Sequence, residues 1–153
     1  MLLDNNIDRP EEREAVIKWL KIKKTPLRKD NTKYVYLDII KNGIATKSVN
    51  YFLQHTGLTK TQVSKLIHVS IRTLQRNNPE KALNINSSER LLELTRLYFM
   101  GIETFGDKDK FNKWLYRPNL SLAKQKPIEL LETSLGAGMV MDELLRIEFG
   151  VFS

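Results

Sequence analysis

Arg72, Thr73, Gln75 and Arg76 lie within five residues of one another and supply guanidinium, hydroxyl and carboxamide groups, the donor types that bond base edges and phosphates in a DNA major groove. Ser70 can do the same from just upstream, and Thr59 and Lys60 complete the candidate DNA-binding set. Side chains of this kind read DNA only when a rigid frame holds them outward. What matters next is therefore the structure that Leu58 to Arg76 must adopt.

That run carries two helix-start signatures. Thr59 can cap a first helix while Gln62, three residues on, reaches back to the cap, with Leu58 and Val63 at the hydrophobic-staple positions. Ser70 can cap a second helix, with Val69 and Leu74 as its staple pair, so the chain turns within His68-Val69-Ser70. A three-residue turn between two short helices is helix-turn-helix geometry. Val63, Leu66, Ile67, Val69, Ile71 and Leu74 would pack the helices together, with the small Ser64 at their close approach. His68 stands where such turns often have Gly, and a positive φ there is open to His but less favourable. Two-helix turns also occur in proteins that never touch nucleic acid, so the rest of the chain bears on the reading.

The chain has 153 residues, is 41% hydrophobic and carries a net charge of +7. That length suits one globular unit, or two small ones sharing a core. Residues 1–80 hold 15 Lys and Arg against 8 Asp and Glu, and residues 81–153 hold 10 against 10. The positive charge is thereby assigned to the half with the helix-turn-helix, which points to a polyanion there and a different partner for the other half. The absence of Cys excludes disulfides and thiolate metal sites and fits a reducing cytosol. No apolar run approaches the ~18 residues of a membrane span, and the N-terminus lacks the order of a signal peptide. A cytoplasmic protein without a membrane partner is expected.

Helices account for most of the remaining chain. Asp8 can cap a helix with Pro10 in its first turn, Glu11, Glu12 and Glu14 near its positive end, and Val16, Ile17 and Leu20 on one face. Lys18, Lys21, Lys23, Lys24, Arg28 and Lys29 follow as a basic cluster, either a phosphate-binding arm or a solvated face beside a linker at Pro26. Tyr34 to Lys41 reads as strand or helix, helix being favoured, and Asn42-Gly43 stops it. Lys47 to His55 forms a helix closed by Gly57. Asn86 with Glu89 would start a long helix to about Ile102, striped by Leu91, Leu94, Thr95, Tyr98 and Ile102. Shorter helices follow at Phe111 to Leu115 and from Pro127, and Met139 to Phe149 makes the last.

Chemistry-bearing alternatives are weak. His55 and His68 are the only histidines, and structural or capping roles suit both. Asp107-Lys108-Asp109 lacks the further ligands of a calcium loop, and Gly136-Ala137-Gly138 is too short to cradle phosphates. No catalytic residue, metal site or cofactor is expected, and the chain does not read as an enzyme.

Trp114-Leu115, Arg117-Pro118-Asn119, the run Pro127 to Thr133, Gly136 and the ending Leu145 to Ser153 resemble the toxin-binding domain of Xre/MbcA/ParS antitoxins. Gly57-Leu58, Ile71 to Arg76 and Ser88-Glu89-Arg90 resemble the Xre-like helix-turn-helix that precedes it, so the likeness spans roughly residues 39–153. The resemblance implies an antitoxin that dimerises, binds a RES-domain toxin that consumes NAD, and represses its own operon by binding operator DNA. It implies an all-α fold, a helix-turn-helix DNA-binding bundle joined by a long helix to a small helical toxin-binding and dimerisation domain. Expected divisions are a basic leader helix and linker at 1–33, the helix-turn-helix domain at 34–98 and the toxin-binding domain at 99–153. An ordinary repressor whose C-terminal half dimerises or senses a ligand is the alternative.

For the far end, Met139, Val140, Leu144, Leu145, Ile147 and Phe149 are more apolar groups than one core stripe needs, so part of that surface should face another chain. A terminal peptide with an aromatic anchor can enter a concave pocket, which makes Arg146, Glu148, Gly150, Val151, Phe152 and Ser153 the candidate toxin-binding residues. The resemblance places this end at the mouth of the toxin's active site.

Overall fold

Pro10 opens helix α1 (Pro10–Leu20) at its first position, where a missing N–H costs nothing. Arg9 occupies the cap position without a side-chain bond, and the expected cap Asp8 lies outside the described residues. The structure, a computed structural model, describes residues 9–23, 31–76 and 78–150. Within them the chain is all-α, with no strand and only isolated bridges at Ala45–Ala82 and Asn119–Gln125.

The ambiguous run at Tyr34 is helix α2 (Thr32–Asn42), capped by Asn31, and Gly43 ends it. Helix α3 (Ser48–Thr56) stops at Gly57 in the left-handed conformation. Helices α4 (Lys60–Ile67) and α5 (Ile71–Gln75) form the helix-turn-helix. Then comes the longest helix, α6 (Ile85–Phe105). Its cap is Asn84, whose side chain accepts from Ser87 N at 2.7 Å. Asn86 therefore sits inside the helix, a correction to the expected start. Asn84 takes the role because its carboxamide lies three residues before an N–H left free at the helix start.

The stripe expected on α6 is also corrected. Every residue from Arg90 to Tyr98 is buried, so the helix is covered around its whole circumference. It packs against α1, α2, α4, helix α7 (Lys108–Leu115) and helix α9 (Ser134–Phe149). Helix α8 (Pro127–Leu130) and a short 3-10 turn at Leu120–Leu122 join α7 to α9. Two glycines allow close approaches: a Cβ on Gly101 would collide with the Phe111 ring of α7, and one on Gly136 with the Leu130 carbonyl of α8. α9 begins five residues earlier than Met139, at a Thr133 cap that accepts from Gly136 N at 3.0 Å, so Gly136-Ala137-Gly138 is helix and not loop.

Helix α1 belongs to this core. Val16 and Leu20 are fully buried, Ser48 Oγ donates to Leu20 O at 2.6 Å, and Trp19 stacks on His55 with ring centroids 4.6 Å apart. Glu12 of α1 is ion-paired with Arg96 of α6, both almost wholly buried, and accepts from the Tyr36 hydroxyl at 3.1 Å. Lys24, Arg28, Lys29 and Pro26, the rest of the expected arm and linker, lie outside the described residues.

Candidate functional site

The helix-turn-helix is assembled by its caps. Thr59 Oγ1 accepts from Gln62 N at 3.1 Å, and Gln62 Oε1 accepts from Thr59 N at 2.9 Å, a complete capping box. Leu58 and Val63 are both buried, as a staple requires. His68 ends α4 at φ 60°, the left-handed conformation that favours Gly. Its ring offsets part of that strain by donating from Nε2 to the Glu132 carbonyl at 2.9 Å. Ser70 then caps α5, accepting from Thr73 N at 3.1 Å.

Of the expected DNA-contacting residues, Arg72, Gln75 and Arg76 are exposed, and Arg72 and Arg76 make no ion pair among the described residues. Ser70 and Thr59 are exposed as well. Thr73 is half-buried, with its hydroxyl 2.9 Å from that of Ser70, so it braces the cap more than it faces solvent. Lys60 is half-buried at the start of α4. Beside α5 opens a polar cleft of about 590 Å³ whose lining includes Ser70, Thr73, Arg76, Asn78 and Lys81. Thr46 fixes Lys81, whose carbonyl accepts from its N–H at 2.9 Å and its hydroxyl at 2.7 Å. Glu80, the neighbouring carboxylate, is held by Lys47, and the exposed Lys81 makes no ion pair among the described residues. Sequence reading missed Lys81, because the cue is the loop's return past Thr46, which no local pattern encodes.

The second surface is α9. Val140, Met141 and Leu144 are buried against α6, whereas Met139, Ile147 and Phe149 are exposed, as an apolar excess on a terminal helix implies. Leu135, Met139, Asp142, Arg146 and Phe149 fall on one stripe at helical spacing, with Leu135 80% exposed. Leu120, 81% exposed, adds to the exposed apolar groups of this half. Leu135 and Leu120 escaped the sequence reading, the first because α9 was expected to begin after it. Arg146 is anchored: it pairs with Glu143, whose carboxylate raises its pKa, and donates to Ser121 Oγ at 2.7 Å. Glu148 and Gly150 are exposed, and the Arg9 guanidinium lies 5.6 Å above the Phe149 ring. Val151, Phe152 and Ser153 lie outside the described residues.

Arg90 joins the two surfaces. It donates to Leu66 O at the end of α4 at 3.0 Å, to Glu93 at 2.8 Å and to Leu131 O before α9. Ser134, in the first turn of α9, donates to the same Glu93 carboxylate at 3.0 Å. Burial raises the Glu93 pKa, and the Ser134 and Arg90 contacts oppose the shift. Lys65 of α4 adds an exposed pair with Glu132 at 3.1 Å. Among the described residues no group of three or more His, Asp or Glu could hold a metal, and no helix is long and apolar enough to cross a membrane.

A capped two-helix turn with an outward polar helix, joined through one shared helix to a second bundle that exposes apolar side chains, defines a helix-turn-helix protein with a second helical unit. Residues 36–96 match the antitoxin Xre-like helix-turn-helix domain, and residues 100–150 match the antitoxin Xre/MbcA/ParS C-terminal toxin-binding domain. The chain belongs to the Xre/MbcA/ParS antitoxin family. It is 30% identical to an antitoxin Xre of Yersinia enterocolitica over 78% of this chain and 82% of that one. It is 28% identical to an antitoxin Xre of Photorhabdus laumondii over 75% and 79%. It is 26% identical to a Prs ADP-ribosylating antitoxin of a Sphingobium species over 76% and 80%.

Proposed function

We propose that this antitoxin neutralises a RES-domain, NAD-consuming toxin by direct binding through α9 and residues 150–153, and represses its own operon through α4 and α5. The observation that carries the reading is the set of exposed apolar side chains on α9, Leu135, Met139, Ile147 and Phe149, in a segment that matches a toxin-binding domain. On the DNA side, Arg72, Gln75 and Arg76 project from a cap-defined helix, and Lys81 extends the same face. The protein acts in the cytoplasm as a homodimer without catalysis, with 34–98 as its DNA-binding unit and 99–153 as its toxin-binding unit, and Gly150, Val151, Phe152 and Ser153 enter the toxin's active-site cleft beside Arg146 and Glu148. Co-expression with the candidate toxin tests it. Wild-type chain should restore growth, and deletion of residues 150–153 should abolish rescue while leaving operator binding and melting temperature nearly unchanged. Rescue by the truncated chain would overturn the assignment of the tail.

A further inference from the structure

We infer that the toxin-binding half itself holds DNA, with Lys113 and Arg117 gripping the phosphodiester backbone beside α4. The inference rests on the DNA-binding reading above and extends it to residues outside the helix-turn-helix. In helix-turn-helix docking the first helix crosses the backbone while the second enters the groove. Here the first helix is α4, and α7 is bolted to its start. Tyr98 hydroxyl donates to Asn112 Oδ1 at 2.8 Å, Asn112 Nδ2 donates to Thr56 O at 2.8 Å, and Gln62 Nε2 donates to the Tyr116 hydroxyl. Gln62 is the same residue that closes the capping box of α4. The end of α7 is thereby fixed against the turn of α4 that meets the backbone.

The charge there has the required sign. The neutral balance of residues 81–153 conceals a division: residues 105–127 hold six Lys and Arg against two Asp and Glu, and residues 128–150 hold one against five. Positive charge is therefore not confined to residues 1–80, a correction to the reading from halves. The basic part meets the start of α4 at Gln62, whereas the acidic part forms α8 and α9 and meets the end of α4 through Glu132. Lys113 lies one turn before Tyr116 and Arg117 directly after it; both are exposed, and neither has an ion pair among the described residues. The Arg117 main chain is rigid, since its N–H donates to Trp114 O at 3.2 Å and the Trp114 ring packs 5.4 Å from Phe105. A fixed main chain carrying a free guanidinium suits a phosphate oxygen, which takes charge-assisted bonds irrespective of base sequence.

The test uses the full chain, a fluorescent duplex from the region upstream of its gene, and a scrambled duplex. Binding is titrated across a series of salt concentrations for wild type, Arg117→Gln, Lys113→Gln, the double variant and Arg117→Lys. Each Gln variant should lower the slope of log affinity against log salt by about 0.9, equally for both duplexes, while Arg117→Lys keeps the wild-type slope. A wild-type slope in the double variant would overturn this inference alone. Loss of toxin capture with an unchanged slope would do so too, assigning the cations to an acidic protein surface. A wild-type chain that binds neither duplex fails the DNA-binding reading itself, and this inference with it.

Discussion

Replacing Glu12 with Ala removes the carboxylate from a group of charges that almost no water reaches. Arg96 is 1% exposed and Glu12 2%, the Tyr36 hydroxyl bonds the same carboxylate oxygen, and the Arg96 guanidinium stands 5.3 Å over the Tyr36 ring. Burial and the Glu12 charge together push the Tyr36 pKa well above its ordinary value, so the phenol stays protonated and donates. Without Glu12 the buried guanidinium loses its pair with this carboxylate, and breaking a buried pair by removing one partner costs ~3–5 kcal/mol. The phenol also loses its acceptor, an overlapping cost of ~1–3 kcal/mol, because both groups bond the same atom. A net loss of about 4 kcal/mol is a large share of the ~5–15 kcal/mol that stabilises a typical protein. At roughly 2–4 °C per kcal/mol for a chain of this size, the melting temperature should fall by on the order of 10 °C. Removing both charges at once, Glu12→Leu with Arg96→Met, should recover most of that, since an apolar replacement avoids desolvating either ion. Circular-dichroism melts and urea titrations measure all three. A loss under ~1 kcal/mol for Glu12→Ala, or a double variant no better than the single, would refute the reasoning.

Arg72→Ala and Gln75→Ala should each weaken operator binding by ~1–3 kcal/mol in a gel shift, with stability unchanged within ~0.5 kcal/mol, because both side chains are exposed. Equal affinity of both variants for the operator would remove them from base reading. Substituting Lys23, Lys24, Arg28 and Lys29 by Gln should lower the salt dependence of DNA binding if the segment after α1 lies on phosphates; deletion of the leader is the wrong experiment, since α1 supplies Glu12. Burial first, then Lys108, Lys18 and Lys21, lowers the His55 pKa below its ordinary 6.5. The unfolded chain therefore binds the proton more readily, and stability should fall as pH drops below about 6.5, a dependence that His55→Phe should flatten in melts compared across pH. A two-fold dimer predicts a footprint with half-sites about one helical turn apart, or a multiple, and a dimer mass by light scattering.

The sequence made the helix-turn-helix legible because its signals are local. Thr59, Gln62 and Ser70 act within three residues of themselves, and the structure places each cap and each staple where the pattern requires. Positions decided by distant partners were not legible. Of Glu11, Glu12 and Glu14 only Glu12 is buried; it lies one turn before Val16 on the inward face of α1, but the partner that lets a carboxylate sit there, Arg96, is 84 residues away. Arg96 in turn sits on a helix whose polar residues suggested an open face, and the helices packed around it removed that face. At α9, the sequence reading began the helix at Met139, after Gly136 and Gly138, although Gly136 belongs to its first turn and is there to clear the Leu130 carbonyl. That misplaced boundary hid Leu135 and with it the start of the exposed stripe.

Shared structure, more than proximity, joins the two binding surfaces. α4 and α9 both lean on α6, and Arg90 holds the carbonyl that ends α4 and the carbonyl that precedes α9. Movement of either end would leave a buried guanidinium donor or a buried carboxylate without its partner, at ~1–3 kcal/mol for each lost bond. Glu93 tightens the connection, since one carboxylate accepts from both Arg90 and Ser134, so the start of α9 cannot shift without altering the charge balance beneath the turn at His68. His68 closes the circuit outside by bonding Glu132. The end of α4, from which α5 follows after three residues, is thus held relative to the start of α9 by four side chains, Arg90, Glu93, Ser134 and His68, in addition to apolar contact. A partner that pulls on the stripe of α9 works against the same bonds that orient α5.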